Sequence, residues 1–291
     1  MPTAGPETDE SDQTDEIADP DASTGRDASP RIGWDRFDTG IALGAAIATV
    51  FVHPVHQMLS HPYWLDEAWV AVLTRVSWSR LPGLSLSTPV GFAALLKLVP
   101  GSGMQRARLV VLMFTLLTTA TAYVFARSLP WATRARARVA GTAAAFVAML
   151  APLSLGRNDL KQYTADAFCA LAVLSVAVWV DRAPRRVPVW WLTIAALAAL
   201  PFSSTAAFVS VAAFAGLFAS AVLERSRQRI IKVLIAGGAA AAGLGAYFGA
   251  VVLPNTNAKL RAYWNAFYLG GSPQHMLRVS WTRLMHLGGA L

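Results

Sequence analysis

The segment RLVVLMFTLLTTATAYVFAR at residues 108–127 decides the fold class of this chain. No charged residue lies between Arg108 and Arg127, and the segment has the roughly 20 mostly apolar residues that a helix needs to cross a bilayer. Similar segments lie on both sides of it, at residues 40–58, 138–156, 165–180, 189–205, 206–223 and 230–253. The sequence therefore predicts an all-α, polytopic membrane protein with about seven transmembrane helices.

The composition agrees with this fold class. Of the 291 residues, 55% are hydrophobic and 14% are charged, which differs strongly from the balance of a soluble domain. The single cysteine, Cys169, excludes a disulfide framework and a cysteine-based metal site.

The first 38 residues differ from the rest of the chain. They carry 11 of the 17 acidic residues and almost no large apolar side chains. Such a segment cannot bury enough apolar surface to offset its ordering entropy, and it lacks the basic start of a signal peptide. We expect residues 1–38 to form a disordered acidic cytosolic tail that precedes a transmembrane core at residues 39–253.

Basic residues set the predicted orientation. They are concentrated in three short loops, at residues 127–138, 182–186 and 225–232, which alternate with loops of low charge. Loops rich in Lys and Arg stay on the cytoplasmic side of a membrane. The pattern predicts a multi-pass protein of the cell membrane with a cytoplasmic N-terminus. It also accounts for the net charge of +8 without nucleic-acid binding.

Only six acidic residues lie beyond the tail, and four of them form two clusters. Asp66 and Glu67 follow the first apolar segment, in the sequence HPYWLDEAW at residues 61–69, while Asp159 and Asp166 lie at the start of a later one. An isolated charge costs about 2.5–3.5 kcal/mol at the bilayer centre on insertion scales. The predicted orientation places both clusters on the outer side, which indicates one shared site.

Asp66 has two compatible roles in this pattern. Periodic apolar residues predict an amphipathic juxtamembrane helix over residues 67–78. An Asp before a helix caps it, and a Glu in the first turn complements its dipole. A capping carboxylate is rigidly aimed, so it could also be catalytic. A second apolar stretch in this outer loop, residues 90–99, is bounded by prolines and too short to cross the membrane, so we expect a second juxtamembrane helix that lies in the interface.

The second cluster, GRNDLKQYTAD at residues 156–166, predicts a polar stripe on one helix face. The stripe has the spacing i, i+3, i+4 and i+7 and consists of Asp159, Gln162, Tyr163 and Asp166. Arg157 and Lys161 lie on a neighbouring face and suit an anion such as a phosphate. The alternative is an ordinary solvated helix start with intrahelical ion pairs.

Arg106 and Arg108 precede a transmembrane segment on its predicted outer side, against the general rule for basic residues. They could reach lipid headgroups by snorkelling, or they could bind a lipid phosphate.

A metal site at the acid pair is a further hypothesis. Asp66, Glu67 and His61 could be its ligands, with His53 and His56 nearby, but the spacing matches no specific ligand signature. Interfacial polar residues are the alternative, and participation of a divalent metal stays open.

The Asp-Glu pair in the first outer loop resembles the GT-C superfamily of polytopic glycosyltransferases, especially the protein O-mannosyltransferase and aminoarabinose-transferase-like branch. In that family a proline-led interfacial segment, an arginine before the second span and a polar-aromatic motif follow in the same order. The corresponding segments here are STPVGFAALLK at residues 87–97, RARL at residues 106–109 and RNDLKQY at residues 157–163. The resemblance covers about residues 39–270.

The resemblance implies that a sugar is transferred from a polyprenyl-phosphate donor to an acceptor outside the membrane, with inversion. It implies that Asp66 is the general base and Glu67 a helper. It assigns the donor phosphate to Arg108, Arg157 and Lys161. It assigns the orientation of the sugar to Asp159, Gln162, Tyr163 and Asp166. The expected partners are the lipid-linked donor and membrane lipids.

Relatives usually continue with further spans, so residues 254–291 are expected to be an outer-face segment that starts a C-terminal part. A truncated, catalytically inactive relative is therefore one alternative. A transporter or flippase-like protein is another, although it would need charged or broken mid-span residues, and most spans here are uniformly Ala, Val and Leu.

Overall fold

A computed structural model describes residues 34–85, 88–100, 104–151, 160–184 and 186–255, together with 274, 277, 278, 280–282 and 285. Throughout this described part the regular structure is helical, without strands. The all-α prediction is therefore confirmed.

Eleven α-helices are delimited within the described ranges. The helices are α1 (Arg36–Val52), α2 (Val55–Ser60), α3 (Leu65–Val72), α4 (Leu81–Ser85), α5 (Val90–Leu98), α6 (Arg108–Ser128), α7 (Arg134–Leu150), α8 (Tyr163–Arg182), α9 (Trp190–Ala199), α10 (Ala206–Leu223) and α11 (Arg227–Tyr247). A 3-10 turn precedes α6, and a π turn and a 3-10 turn extend α11 to Asn255.

Four helices within the described ranges are long and apolar enough to cross a membrane. They are Gln105–Ser128, Tyr163–Arg182, Ala206–Leu223 and Arg227–Asn255, which contain α6, α8, α10 and α11. α1 and α7 have 17 residues each, and α9 has 10. By length and composition these four helices are compatible with a multi-pass membrane protein, and the count of seven spans stays a prediction.

The first predicted span, residues 40–58, is divided between two helices. α1 ends at Val52, His53 is extended, and α2 begins after Pro54. A proline has no backbone N–H to donate and disfavours the helical conformation in the residue before it. The proline rule thus explains the break.

The helical core begins before residue 39. The side chain of Asp35 accepts a hydrogen bond from the backbone N–H of Asp38 at 3.0 Å, and the Asp38 side chain accepts one from the N–H of Asp35 at 3.1 Å. This reciprocal capping box satisfies donors that a helix start leaves unpaired. Residues 34–38 therefore belong to the start of α1, although the sequence analysis assigned them to the tail. Residues 1–33 lie outside the described part.

The helices form one bundle in which α6 packs against α1, α7 and α8, while α8 also contacts α9 and α10. We call one end of the bundle the basic end. It contains the end of α8 and the starts of α1, α7 and α11, and Arg127 and Arg138 meet Asp38 there. We call the opposite end, which contains Asp66 and the starts of α6 and α8, the Asp66 end.

The loop between α1 and α6 contains the two short helices expected from its sequence. The predicted helix over residues 67–78 is observed as α3 followed by the 3-10 turn Leu73–Arg75, and the predicted stretch 90–99 is observed as α5. α5 begins against the turn between α9 and α10. The backbone N–H groups of Gly91 and Phe92 both donate to the carbonyl oxygen of Pro201, at 2.7 and 3.2 Å. This contact ties the loop to the Asp66 end.

Candidate active site

Glu67 and Arg108 form a buried ion pair at the Asp66 end. Arg108 Nη2 donates to Glu67 Oε2 at 2.6 Å, and Arg108 Nε donates to Glu67 Oε1 at 3.0 Å. Each side chain is 2% exposed. A two-point contact between a guanidinium and a carboxylate fixes the orientation of both groups. The pair therefore connects α3 firmly to the start of α6.

Further contacts of Arg108 are made with α2 and with the loop that joins α2 to α3. Arg108 Nη1 donates to the carbonyl oxygens of Met58 and His61, at 2.5 and 2.9 Å, and the Tyr63 ring centroid lies 4.7 Å from the guanidinium. These partners make burial of the charge tolerable. A phosphate could reach Arg108 only if this loop moved away. Arg108 therefore has a structural role here, and its role in phosphate binding stays a prediction.

The environment of this pair also affects Tyr63. Burial raises the pKa of Tyr63 to about 12, with the Arg108 charge acting in the opposite direction and the Glu67 charge in the same direction. The phenol is therefore protonated at neutral pH and packs as a neutral ring on the guanidinium.

Glu67, and not Asp66, accepts a backbone hydrogen bond at the start of α3. The helix begins at Leu65 with Trp64 before it, and Glu67 Oε2 accepts a hydrogen bond from the backbone N–H of Trp64 at 3.3 Å. Asp66 is the second residue of the helix, so the expectation that Asp66 caps it is wrong. Glu67 Oε1 also accepts from the N–H of Leu160 at 3.1 Å, which joins α3 to the segment before α8.

Asp66 has a very different environment from its neighbour. Its side chain is 57% exposed, and the Nζ of Lys161 lies 3.7 Å from Asp66 Oδ2. This distance is too long for a strong hydrogen bond, and exposed ion pairs contribute only about 0–1 kcal/mol. Asp66 is thus an accessible carboxylate on a helix turn that the Glu67–Arg108 pair immobilises.

Asp166 lies in the first turn of α8 and binds the turn between α9 and α10. Asp166 Oδ1 accepts hydrogen bonds from the hydroxyl groups of Ser203, at 2.5 Å, and Thr205, at 3.2 Å. Ser203 is fully buried, and its Oγ also accepts from the N–H of Ala206 at the start of α10. Asp166 therefore has a structural role at the same end of the bundle as Asp66.

The predicted polar stripe is only partly observed. α8 begins at Tyr163, so Lys161 and Gln162 precede the helix, and of the stripe only Tyr163 and Asp166 lie on α8 itself. Tyr163 is half exposed. Arg157 and Asp159 lie outside the described residues. The structure does bring Lys161 to Asp66, as a shared site requires.

The hypothesised metal site does not form in the described part of the chain. No group of three or more His, Cys, Asp or Glu side chains that could hold a metal ion occurs among the described residues. Glu67 has both oxygens bound by Arg108, and the carbonyl of His61 also accepts from Arg108. Asp66, Glu67 and His61 therefore do not converge as ligands.

A buried charge cluster at the basic end was missed from the sequence. Asp38 is fully buried and accepts hydrogen bonds from Tyr123 Oη at 2.9 Å, Arg127 Nε at 2.9 Å and Arg138 Nε at 3.0 Å. Burial alone would raise the pKa of Asp38, but the donors from Arg127 and Arg138 outweigh it and hold the pKa well below the usual 3.8. The sequence does contain one signal for this cluster. Asp38 lies within one turn of the predicted span 40–58, and the arginine-rich loop at residues 127–138 is predicted on the same side of the membrane.

Comparison of this chain with protein families, curated proteins and solved structures finds no match. The function proposed below is therefore based on the geometry of the site and on the sequence resemblance.

Proposed function

We propose that this protein is a membrane glycosyltransferase. It transfers a sugar from a polyprenyl-phosphate donor to an acceptor hydroxyl on the extracytoplasmic side of the membrane, with inversion at the anomeric carbon. Asp66 is the general base in this proposal, and the Glu67–Arg108 pair positions it.

The observation that carries the proposal is the contrast between the two adjacent acids. Glu67 is buried and bound at both oxygens, whereas Asp66 is 57% exposed and lies 3.7 Å from the Lys161 ammonium group. Sugar transfer needs a carboxylate that accepts a proton from the acceptor and a cation that stabilises the released phosphate. An accessible acid on a rigid helix turn, with a lysine beside it, supplies both groups in one compartment.

The reaction then proceeds as a single displacement. Asp66 accepts the proton of the acceptor hydroxyl as its oxygen bonds to the anomeric carbon. The bond from that carbon to the phosphate oxygen breaks at the same time, and the electron pair leaves with the polyprenyl phosphate. Donor and acceptor must lie on opposite faces of the sugar, so the base and the leaving phosphate are separated by about one sugar.

Lys161 changes partner in this scheme. The donor is a phosphodiester whose single negative charge is shared by two oxygens, and its charge rises to that of a phosphate monoester as the sugar leaves, so it draws the flexible Lys161 side chain away from Asp66. The carboxylate is then available as a base only when donor is bound. Arg157 is a second cation for the phosphate in this proposal, and Asp159, Gln162 and Tyr163 orient the sugar, while Asp166 fixes the turn between α9 and α10 beside them.

The proposed topology has seven spans, with the basic end in the cytoplasm of a cell-membrane protein. α9 supports this count although it has only 10 residues, about 15 Å at 1.5 Å per residue. It starts at Trp190 near Arg229 of the basic end, and the turn that follows it reaches Asp166 at the Asp66 end. α9 therefore joins the two ends of the bundle.

The proposal is tested with the purified full chain in lipid nanodiscs and polyprenyl-phosphate donors that carry a labelled sugar. The assay measures loss of lipid-linked label in the presence of candidate acceptors. Asp66→Asn removes the base, and Glu224→Gln at the basic end is the matched control, because Glu224 is also an exposed acid. We expect transfer by the wild type and the control but not by Asp66→Asn.

Lys161→Gln tests the phosphate-binding role of Lys161 separately from the role of Asp66 as the base. We expect it to raise the donor KM and also to lower kcat, because Lys161 binds the donor phosphate and stabilises it as it leaves, whereas Asp66→Asn should lower kcat with little change in the donor KM. Transfer by Asp66→Asn at the wild-type rate, or failure of the wild type with every polyprenyl-phosphate donor, would overturn the proposal.

A further inference from the structure

A cavity of about 220 Å³ opens at the basic end of the bundle, far along α8 from the site around Asp66. The last turn of α8, the loop before α9 and the first turns of α11 form its walls. The walls are largely apolar, with Val187, Val189, Trp190 and Val233 among them, and the cationic side chains among the described residues that line the cavity are Arg229 and Lys232. An apolar cavity with cations at its edge suits an amphiphile with an anionic head.

The two cations differ in their availability. Arg229 Nη2 donates to Asp181 Oδ1 and Arg229 Nη1 donates to Glu224 Oε2, both at 2.6 Å, so its charge is already balanced by two acids. Lys232 is exposed and makes no ion pair with the described residues. Lys232 is therefore the cation that can bind an additional anion at this cavity.

The surroundings place this cavity at a membrane surface. α8 and α11 are long and apolar enough to cross a membrane, and the cavity lies at the ends where their basic residues begin. Trp190 is half exposed at the edge of the cavity, as an interfacial tryptophan is. Basic pockets between transmembrane helices bind the headgroups of anionic lipids.

We infer that this cavity binds one anionic phospholipid. An acyl chain lies against Val187, Val189 and Val233, and the phosphate is bound by the Lys232 ammonium group. A zwitterionic phospholipid brings a compensating positive charge close to Lys232, so it binds less well. This site is distinct from the proposed donor site and does not depend on sugar transfer.

The test is native mass spectrometry of the purified full chain in a neutral detergent, titrated with dioleoyl phosphatidylglycerol or dioleoyl phosphatidylcholine. We expect the first phosphatidylglycerol to bind about five-fold more tightly than phosphatidylcholine, the factor that corresponds to about 1 kcal/mol for one basic residue near an anionic lipid. Lys232→Gln should remove this preference. Arg136→Gln is the matched control, because Arg136 is an exposed arginine of the basic end outside the cavity.

Two further measurements test the contribution of the acyl chain separately from that of the phosphate. Val187→Trp fills the apolar cavity and leaves Lys232 in place, and it should weaken phosphatidylglycerol binding in a variant whose melting temperature is unchanged. Glycerol phosphate, which has no acyl chain, should not compete at the same concentration. Equal losses in Lys232→Gln and Arg136→Gln, equal binding of the two lipids, or competition by glycerol phosphate would overturn the inference.

Discussion

Arg108 binds both carboxylate oxygens of Glu67 in a contact where each side chain is 2% exposed. The two residues are 41 positions apart in the chain and connect α3 to α6. Asp66, the residue before Glu67, is 57% exposed. Glu67 thus stabilises the fold, whereas Asp66 is accessible for a chemical role.

The first prediction concerns the stability contributed by this pair. Glu67→Gln should destabilise the protein by about 3–5 kcal/mol, because removal of one partner leaves the buried Arg108 charge uncompensated. Thermal unfolding in detergent measures the effect as a large fall in melting temperature. Asp66→Asn is the control and should melt like the wild type, since Asp66 is exposed. A Glu67→Gln variant as stable as the wild type would contradict the structural role of the pair.

The second prediction concerns Asp38 and pH. The folded-state pKa of Asp38 is below its usual value of 3.8, so its stabilising effect is present above about pH 4 and is lost as pH falls further. Asp38→Asn should cost about 3–5 kcal/mol at neutral pH, because it leaves the buried Arg127 without its carboxylate and removes one of the two carboxylates that bind Arg138. The difference in melting temperature between wild type and variant should stay constant from pH 8 to 5 and shrink below pH 4. A difference that grows on acidification would show the opposite linkage.

The third prediction concerns the contact between α5 and the turn after α9. A Cβ atom at Gly91 would lie 2.7 Å from the carbonyl oxygen of Pro201 and 2.6 Å from its Cβ. Gly91→Ala should therefore displace α5 and cost about 1–3 kcal/mol. Gly44→Ala is the matched control, because a Cβ at Gly44 in α1 meets no atom within 4 Å. We expect the control to be neutral or up to about 1 kcal/mol more stable. Equal melting temperatures for both variants would contradict the close contact.

The fourth prediction concerns topology. Cys169 is the single cysteine of the chain and is buried. Its replacement by Ala gives a cysteine-free background, into which single cysteines are introduced at exposed positions. In intact cells a membrane-impermeant maleimide should label Ser77→Cys, near the Asp66 end, and should not label Ala132→Cys, near the basic end, until the cells are opened. Labelling measured by gel shift checks this. The reverse pattern would invert the proposed orientation.

The sequence predicts the parts of the fold that depend on local composition. α6, α8, α10 and α11 are found where long apolar segments were recognised, because a bilayer requires about 20 such residues. α5 is found between Pro89 and Pro100, since proline punctuates helices. The break at Pro54 follows the same rule and was available from the sequence, although the predicted span 40–58 passed through it.

The parts that depend on distant partners could not be predicted. Asp66 and Glu67 are equivalent in sequence terms, and which of them is buried is decided by Arg108, 41 positions later. Asp38 belongs to an acidic segment by composition, but Arg127 and Arg138 bring it into the core. The sequence places Asp66 and Glu67 in the same loop, but the burial of each side chain depends on the assembled bundle.

The most direct test of the account is the rate of sugar transfer by Asp66→Asn relative to wild type, measured with a polyprenyl-phosphate donor at equal melting temperature. We expect a fall in kcat of about 10²–10⁴-fold with unchanged stability, because general-base catalysis contributes that factor and Asp66 is not part of the buried pair. A variant that transfers the sugar at the wild-type rate would show that Asp66 is not the base.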